Sequence, residues 1–308
     1  MRSILSLFDG MSCGRLALDG AGISYERYYS AEIDKHAIKA SESIYSDNLR
    51  LGDVQKWRDW ELDWSKVDLV LAGFPCQAWS VAGSQNGVND ERGRLFYDML
   101  AIMTHAKKHN PSLNFLIENV KMKSDFEKFI TNQIERNLGE VHKHLINSAL
   151  VSAQNRRRYY WCNWHVDQPK DRGVTWGHVR ESGVKEQCFY YSDKALKWIR
   201  KHSDRTGKEL KIHADGEKMQ MIEASHYKKY SSQRFFGILD SIDRGSYITH
   251  GLRYITPREC LRLQTVPESA IDAMMSSGVS NTQLYKIAGN GWTVAVIEHI
   301  LKSMKHRR

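Results

Sequence analysis

The sequence predicts an α/β protein: a doubly wound, mostly parallel Rossmann-like sheet with a smaller irregular lobe attached. Three observations predict it. Short apolar runs (Ser3 to Phe8, Tyr25 to Ala31, Asp68 to Gly73, Asn114 to Ile117) alternate with stretches of helical periodicity. Chemically active residue types follow the apolar runs directly, as they do where ligands bind at the carboxyl ends of strands. Near Asp167 the alternation stops and a basic, aromatic stretch begins. With 308 residues, 41% of them hydrophobic, the chain can bury one large core and a lesser one. We read 1–166 as a catalytic and cofactor-binding core, 167–251 as the lobe, and 252–308 as a segment returning to the core.

Composition narrows the classes further. No apolar run approaches the roughly 20 residues of a membrane span, and Asp9 interrupts the N-terminal apolar run too early for a signal peptide. Five cysteines without a C-x-x-C pair argue against a disulfide framework and a zinc knuckle. His142 and His144 read as surface residues, and no metal is expected. The net charge of +9 favours a polyanionic partner, nucleic acid first.

The first apolar run leads into Asp9-Gly10-Met11-Ser12-Cys13-Gly14, a tight turn before a helix that carries Leu16, Ala17 and Leu18. The second run ends at Glu32, and Asp34 can cap a helix through Tyr45. A glycine turn with an acid some twenty residues on is the layout of a nucleotide site, the carboxylate taking ribose hydroxyls. The nicotinamide version has a third glycine. This chain has only Gly10 and Gly14, which suits a mononucleoside ligand such as S-adenosylmethionine.

Gly52-Asp53-Val54 closes a third short strand, where a carboxylate could accept from an adenine amino group. The run from Asp68 to Gly73 then meets Phe74-Pro75-Cys76-Gln77. Pro75 ends the strand and fixes the angle at which Cys76 leaves the sheet, and a polar, glycine-containing stretch from Ser80 to Gly93 suits a loop. Leu95 to Lys108 is helical in period, Asn114 to Ile117 a strand ending in Glu118-Asn119-Val120, and Phe126 to Leu138 an amphipathic helix. Leu145 to Leu150 and Tyr159 to Cys162 read as strands, the latter entered through Gln154-Asn155-Arg156-Arg157-Arg158. Phe8, Glu32, Asp53, Cys76 and Glu118 thus fall on one sheet edge.

In the lobe, Lys194 to Lys211 holds seven Lys and Arg among interleaved aromatics, the composition of a nucleic-acid reader. Thr256-Pro257-Arg258-Glu259 opens a helix with Pro in its first turn, and Gly289-Asn290-Gly291-Trp292 leads into a helix from Val294 to Met304.

These motifs, in this order, resemble the DNA (cytosine-5)-methyltransferases over essentially the whole chain. Phe8-Asp9-Gly10 with Gly14 is similar to that family's cofactor loop, Pro75-Cys76-Gln77 to its nucleophile motif, and Glu118-Asn119-Val120 to its base-binding motif. Gln154, Arg156 and Arg158 match Q-x-R-x-R, Arg253 through Pro267 the segment joining lobe to core, and Gly289-Asn290 the closing cofactor motif. Ser12 and Cys13 stand where many bacterial members have glycines, and Gly291-Trp292 replaces Ser-Val. Both departures resemble phage enzymes and the catalytic domains of animal de novo methyltransferases.

The resemblance implies the S-adenosylmethionine-dependent methyltransferase sheet with a target-recognition lobe. It implies S-adenosyl-L-methionine held by Phe8, Asp9, Gly10, Glu32, Ile33, Asp53, Val54, Pro75, Asn290 and Trp292. Phe8 would stack on adenine, Glu32 take the ribose and Asp53 the amino group. Cys76 would supply a thiolate to carbon 6 of a flipped cytosine, Glu118 would hold a proton at ring nitrogen 3, and Arg158 would hold the carbonyl oxygen. Arg156 would orient Glu118 or the backbone of Arg158. Double-stranded DNA would be met by Ser80, Gln85 and Arg92 of the loop, by phosphate contacts of Lys197, Arg200 and Lys201, and by base contacts of Gln233 and Arg234. A cytoplasmic setting in a bacterial or phage-infected cell is implied, and any cognate restriction enzyme would lie on another chain. Two other readings stay open: a tRNA cytosine-5 methyltransferase on the same scaffold, and a non-catalytic DNA-binding relative.

Overall fold

The computed structural model describes residues 1–75, 91–207, 211–231, 236–239 and 251–304. Its larger sheet has seven strands in the order β3-β2-β1-β4-β5-β7-β6. These are β1 (Ser3–Leu7), β2 (Arg27–Ala31), β3 (Leu49–Arg50), β4 (Val67–Ala72), β5 (Asn114–Val120), β6 (His142–Asn147) and β7 (Arg157–Cys162). The first five run parallel, while β7 is antiparallel to both β5 and β6. Strand order reverses between β1 and β4, which makes the crevice beyond their carboxyl ends the place where such sheets bind ligands.

Burial on both faces explains why the central strands read as unbroken apolar runs. Leu5, Leu7, Val70, Ala72, Phe115 and Ile117 share a core with Phe96, Met99 and Met103 of α3 (Glu91–His109) and with Ile130 and Ile134 of α4 (Ser124–Leu138). Each Val, Leu, Ile, Phe or Met side chain among them contributes about 1.5–3 kcal/mol on leaving water. On the other face α1 (Cys13–Gly20) packs with α9 (Val294–Met304). Gly14 lets α1 approach the sheet, since a Cβ there would meet Leu71 Cδ1 at 2.6 Å.

Most of the expected elements form within a few residues of the expected bounds. Asp34 caps α2 (Lys35–Ile44) by accepting from His36 N and Ala37 N, and Pro257 opens α6 (Pro257–Leu263) inside a Thr256/Glu259 capping box. Three differ. The third strand is Leu49–Arg50, so Gly52 and Asp53 lie past its end, and Asp53 instead caps a short turn through Gln55 N at 2.9 Å. The basic stretch is helical over most of its described length: it forms α5 (Asp193–Thr206), capped by Ser192 and ended by Gly207 at φ 66°. His142 and His144, expected at the surface, are partly buried instead of fully exposed. They stack with centroids 6.4 Å apart beside His165, and burial with these neighbours pushes the His144 imidazole below its ordinary value.

The chain divides into two compact units, one of Met1–Asn147, Arg157–Lys170 and Trp292–Arg308, the other of Ser148–Arg156 and Asp171–Gly291. The second unit contains α5, α6, α7 (Glu268–Ser276), α8 (Asn281–Asn290) and a small sheet of β8 (Lys211–Ile212), β9 (Phe236–Leu239) and β10 (Leu252–Arg253). At its centre Glu259, fully buried, pairs with Arg253 at 2.7 and 2.9 Å and also accepts from Glu181 N and Thr256 N. Every carboxylate oxygen there is hydrogen-bonded, the condition under which a charge can be buried.

Candidate active site

Pairing register sets the site. Leu7 is the Cα partner of both Ala31 and Ala72, and Ala72 of Ile117. Phe8, Glu32, Gly73 and Glu118 are therefore each one residue past a single row that crosses four strands. Chain direction alone brings them to one edge.

At the β5 end of this edge, Glu118 is 9% exposed and its Oε1 lies 3.1 Å from Nε of Arg158. The antiparallel pairing of β5 with β7 makes this contact, since Val120 is the partner of Arg158. The Arg158 guanidinium also donates to the carbonyl of Arg157 at 2.9 Å. A carboxylate and a planar cation fixed side by side can meet two adjacent polar atoms of one flat heterocycle. Next to them, buried Asn119 donates from Nδ2 to the carbonyl of Phe74 at 3.0 Å, and its Oδ1 accepts from Val120 N at 2.7 Å. Asn119 thereby holds the exit of β4 at Phe74, the residue before Pro75.

At the β1 end the loop into α1 is bent three times. Phe8, Gly10 and Ser12 all have left-handed backbones, at φ 57°, 59° and 62°. For Phe8 and Ser12 this costs of order 1–3 kcal/mol each, a cost found at ligand clamps. Glu32 braces the loop: its Oε2 accepts from Gly10 N, and its Oε1 from Ile33 N and Asp34 N, all at 2.8 Å. Oε1 is thereby filled, while Oε2, with one donor, retains acceptor capacity for a hydroxyl. Beside it Ile33 is 72% exposed, and a Cβ on Gly10 or Gly52 would meet no atom within 4 Å. An open apolar shelf beside a half-buried carboxylate fits an adenosyl group, with Asp53 half-buried past the end of β3.

Trp292 covers the β4 side. A Cβ on Gly73 would fall 2.6 Å from Trp292 Nε1, so only glycine lets the indole lie there. Val54 is buried at 5% and contributes to the core beneath. Asp9 faces inward with no exposed side-chain surface: its carboxylate accepts from Tyr28 OH at 2.7 Å, Ser12 Oγ at 2.6 Å and Ser30 Oγ at 2.8 Å. It shapes the loop from behind.

Comparison with known proteins decides the family. A family model described as C-5 cytosine-specific DNA methylase matches residues 2–306. The chain belongs to this family. The type II methyltransferase M.HpaII of Haemophilus parainfluenzae is 29% identical across 96% of this chain and 87% of its own. M1.ScrFI of Lactococcus lactis subsp. cremoris is 30% identical across 98% and 77%. Among solved structures, a Spodoptera frugiperda DNMT2 mutant shares the fold at a TM-score of 0.74 and 20% identity, covering 99% of this chain and all of that one.

Two parts of the methylase's Q-x-R-x-R motif do other work than Arg158. Arg156, expected behind Glu118 or the Arg158 backbone, lies in the second unit and donates to the carbonyls of Ile222, Gly289 and Gly291 at 2.9–3.1 Å. Gln154, fully buried, donates to Leu263 O and accepts from Ile222 N. Gln264 donates to Ala288 O and Gly291 O. Together they hold the segment that contains Asn290, the last residue of α8. Sequence reasoning assigned no role to Gly73 or Ser12, and named Asn119 only within the base-binding motif, not as the anchor of Phe74. For Asn119 there was a signal, an amide inside an apolar strand that must be satisfied when buried; for Gly73 there was none.

Cys76, Ser80, Gln85, Gln233 and Arg234 lie outside the described residues, as does the side chain of Arg92 in the first turn of α3. Among the described residues no group of three or more His, Cys, Asp or Glu could hold a metal ion, and no helix is long and apolar enough to cross a membrane.

Proposed function

We propose that this methylase transfers a methyl group from S-adenosyl-L-methionine to carbon 5 of a cytosine flipped out of duplex DNA, through a transient bond between Cys76 and carbon 6. The observation that carries the reading is the Glu118–Arg158 pair, 3.1 Å apart on the same strand edge from which Pro75 leads into Cys76. The target atoms lie inside the base stack, so the base must leave it to be reached.

Carbon 5 is a weak nucleophile because attack from it breaks the ring's conjugation. When the Cys76 thiolate forms a bond to carbon 6, the electrons of the 5,6 double bond move to carbon 5. Glu118 assists by holding a proton at ring nitrogen 3, and Arg158 by donating to the ring carbonyl oxygen. S-Adenosylmethionine, when bound, supplies an electrophilic methyl group. A base or water then takes the proton from carbon 5, the double bond re-forms and the bond to sulfur breaks. An ordinary thiol with pKa about 8.5 is about 3% ionised at pH 7, so full ionisation gains only about thirtyfold, near 2 kcal/mol. Positioning and charge stabilisation supply the remainder.

For the cofactor, the fit rests on the bent loop at Phe8–Ser12, the exposed Ile33, the carboxylates of Glu32 and Asp53, and the Gly73–Trp292 contact. Phe8 and Ile33 would flank the adenine, Glu32 would take the ribose and Asp53 the amino group. Duplex DNA would be gripped by the exposed Lys197, Arg200 and Lys201 of α5, a sequence-independent contact. Gln233 and Arg234 would read bases. Bisulfite sequencing of DNA from a methylation-free host tests the reading. The wild-type chain should protect cytosines in one fixed motif, and Cys76→Ala none; absence of any protected motif would contradict it.

A further inference from the structure

Behind the bent loop runs a chain of buried hydrogen bonds. Arg15, on the first turn of α1, is 7% exposed and lies over the ring of Tyr45, with Cζ 4.2 Å from the centroid. It donates to both carboxylate oxygens of Asp47 and, through NH1, to Oδ1 of Asn48 at 2.6 Å. That contact fixes the Asn48 amide, whose Nδ2 donates to Ser12 Oγ at 3.1 Å and Ser41 Oγ at 2.9 Å. The two hydroxyls are 2.6 Å apart, and Ser12 Oγ is 2.6 Å from Asp9 Oδ2.

Only one proton arrangement satisfies these contacts. A hydroxyl has one donor and two acceptor positions. Asp9 can only accept, so Ser12 donates to it and accepts from Asn48 and Ser41. Ser41 donates to Ser12 and accepts from Asn48 and from Arg50 NH2 at 3.0 Å. Both hydroxyls are saturated, and the chain of bonds runs one way, from the Arg15 cation to the Asp9 carboxylate. Both serines are fully buried.

Ser12 sits in this network at φ 62°, ψ 40°. Glycine would adopt that backbone without steric cost, but glycine has no hydroxyl. The geometry points to Ser12 as a positioning residue for cofactor binding: its hydroxyl fixes Asp9 and so holds the Phe8–Gly10 turn in its strained, ligand-ready shape. The inference rests on the cofactor reading above. A loop held in advance binds more tightly because less ordering remains to be done on binding.

The test is calorimetry with S-adenosylmethionine on the wild type, Ser12→Gly and Ser41→Ala, with duplex DNA affinity measured in parallel. Ser12→Gly removes Cβ with the hydroxyl and so relieves the backbone as the network is broken; Ser41→Ala removes the next hydroxyl alone, from outside the loop. We expect the cofactor Kd to rise about tenfold or more in Ser12→Gly and at least threefold in Ser41→Ala, with DNA affinity unchanged. If Ser12→Gly does not fold, Ser41→Ala decides by the same criterion. A cofactor Kd within twofold of wild type would overturn the inference, as would equal losses of cofactor and DNA affinity, or failure of both variants to fold. Absence of binding by the wild type would instead remove the cofactor reading, and this inference with it.

Discussion

Glu118 and Arg158 touch each other, yet mutation separates what each contributes. Glu118→Gln keeps the size and most of the hydrogen bonding while removing the acid, so folding and DNA affinity should persist. The single-turnover methyl-transfer rate should fall about 10²–10⁴-fold, the usual worth of a positioned acid or base. A rate within threefold of wild type would remove Glu118 from the chemistry. Arg158→Ala removes the cation from a carboxylate whose side chain is 11% exposed. Loss of one partner of a buried pair costs about 3–5 kcal/mol, and urea unfolding should register it. At this scale the sequence was most informative where a residue type is itself chemically unusual at its place. Cys after Pro at a strand end and Glu inside an apolar strand could be picked out as they stood. The partners of Asp9 and Arg156 could not, because a carboxylate bonded to three hydroxyls and a guanidinium bonded to three carbonyls are made by chain segments far apart in sequence.

Gly289 shows the same limit at the level of elements. A Cβ there would fall 2.2 Å from Ala224 N and 2.3 Å from Glu223 C, so the backbone of 223–224 crosses directly over the end of α8. Arg156 ties the two together, donating to the carbonyl of Ile222 and to those of Gly289 and Gly291. Gly289→Ala should destabilise the second unit by about 3 kcal/mol, the upper end of the range for overpacking; thermal unfolding checks it, and an unchanged melting temperature would contradict the close approach. The sequence showed a Gly-Asn pair before a helix but not the crossing segment, which no local pattern encodes. Element boundaries were legible where caps mark them, at Asp34 and Pro257. They were less so at the third strand, where Asp53 read as a strand end but serves as a cap.

Across the whole molecule the +9 charge gains a place to act in α5, whose Lys197, Arg200 and Lys201 are exposed while Ala195 and Ile199 are buried. Trp198 stacks on His202 on the same helix, with ring centroids 4.9 Å apart. Changing the three basic residues to Ala should weaken binding to specific and random duplexes alike. The slope of log affinity against log salt should fall by about 0.9 for each phosphate that the variant no longer neutralises. A changed methylation motif with an unchanged slope would place α5 in a groove. The parallel sheet and its working edge were legible because alternating elements fix chain direction, and direction fixes which ends share an edge. The division into compact units was not, since Ser148–Arg156 joins the second unit through tertiary bonds alone. The central claim, that a covalent bond from Cys76 carries methyl transfer at this edge, is tested most directly with a duplex containing 5-fluorocytosine in the methylated motif. Without a hydrogen on carbon 5 the final elimination cannot occur. In the presence of S-adenosylmethionine the wild-type chain should form a denaturant-resistant adduct of one protein per duplex, and Cys76→Ala none; an active wild-type enzyme that forms no adduct, or an adduct that survives Cys76→Ala, would contradict the account.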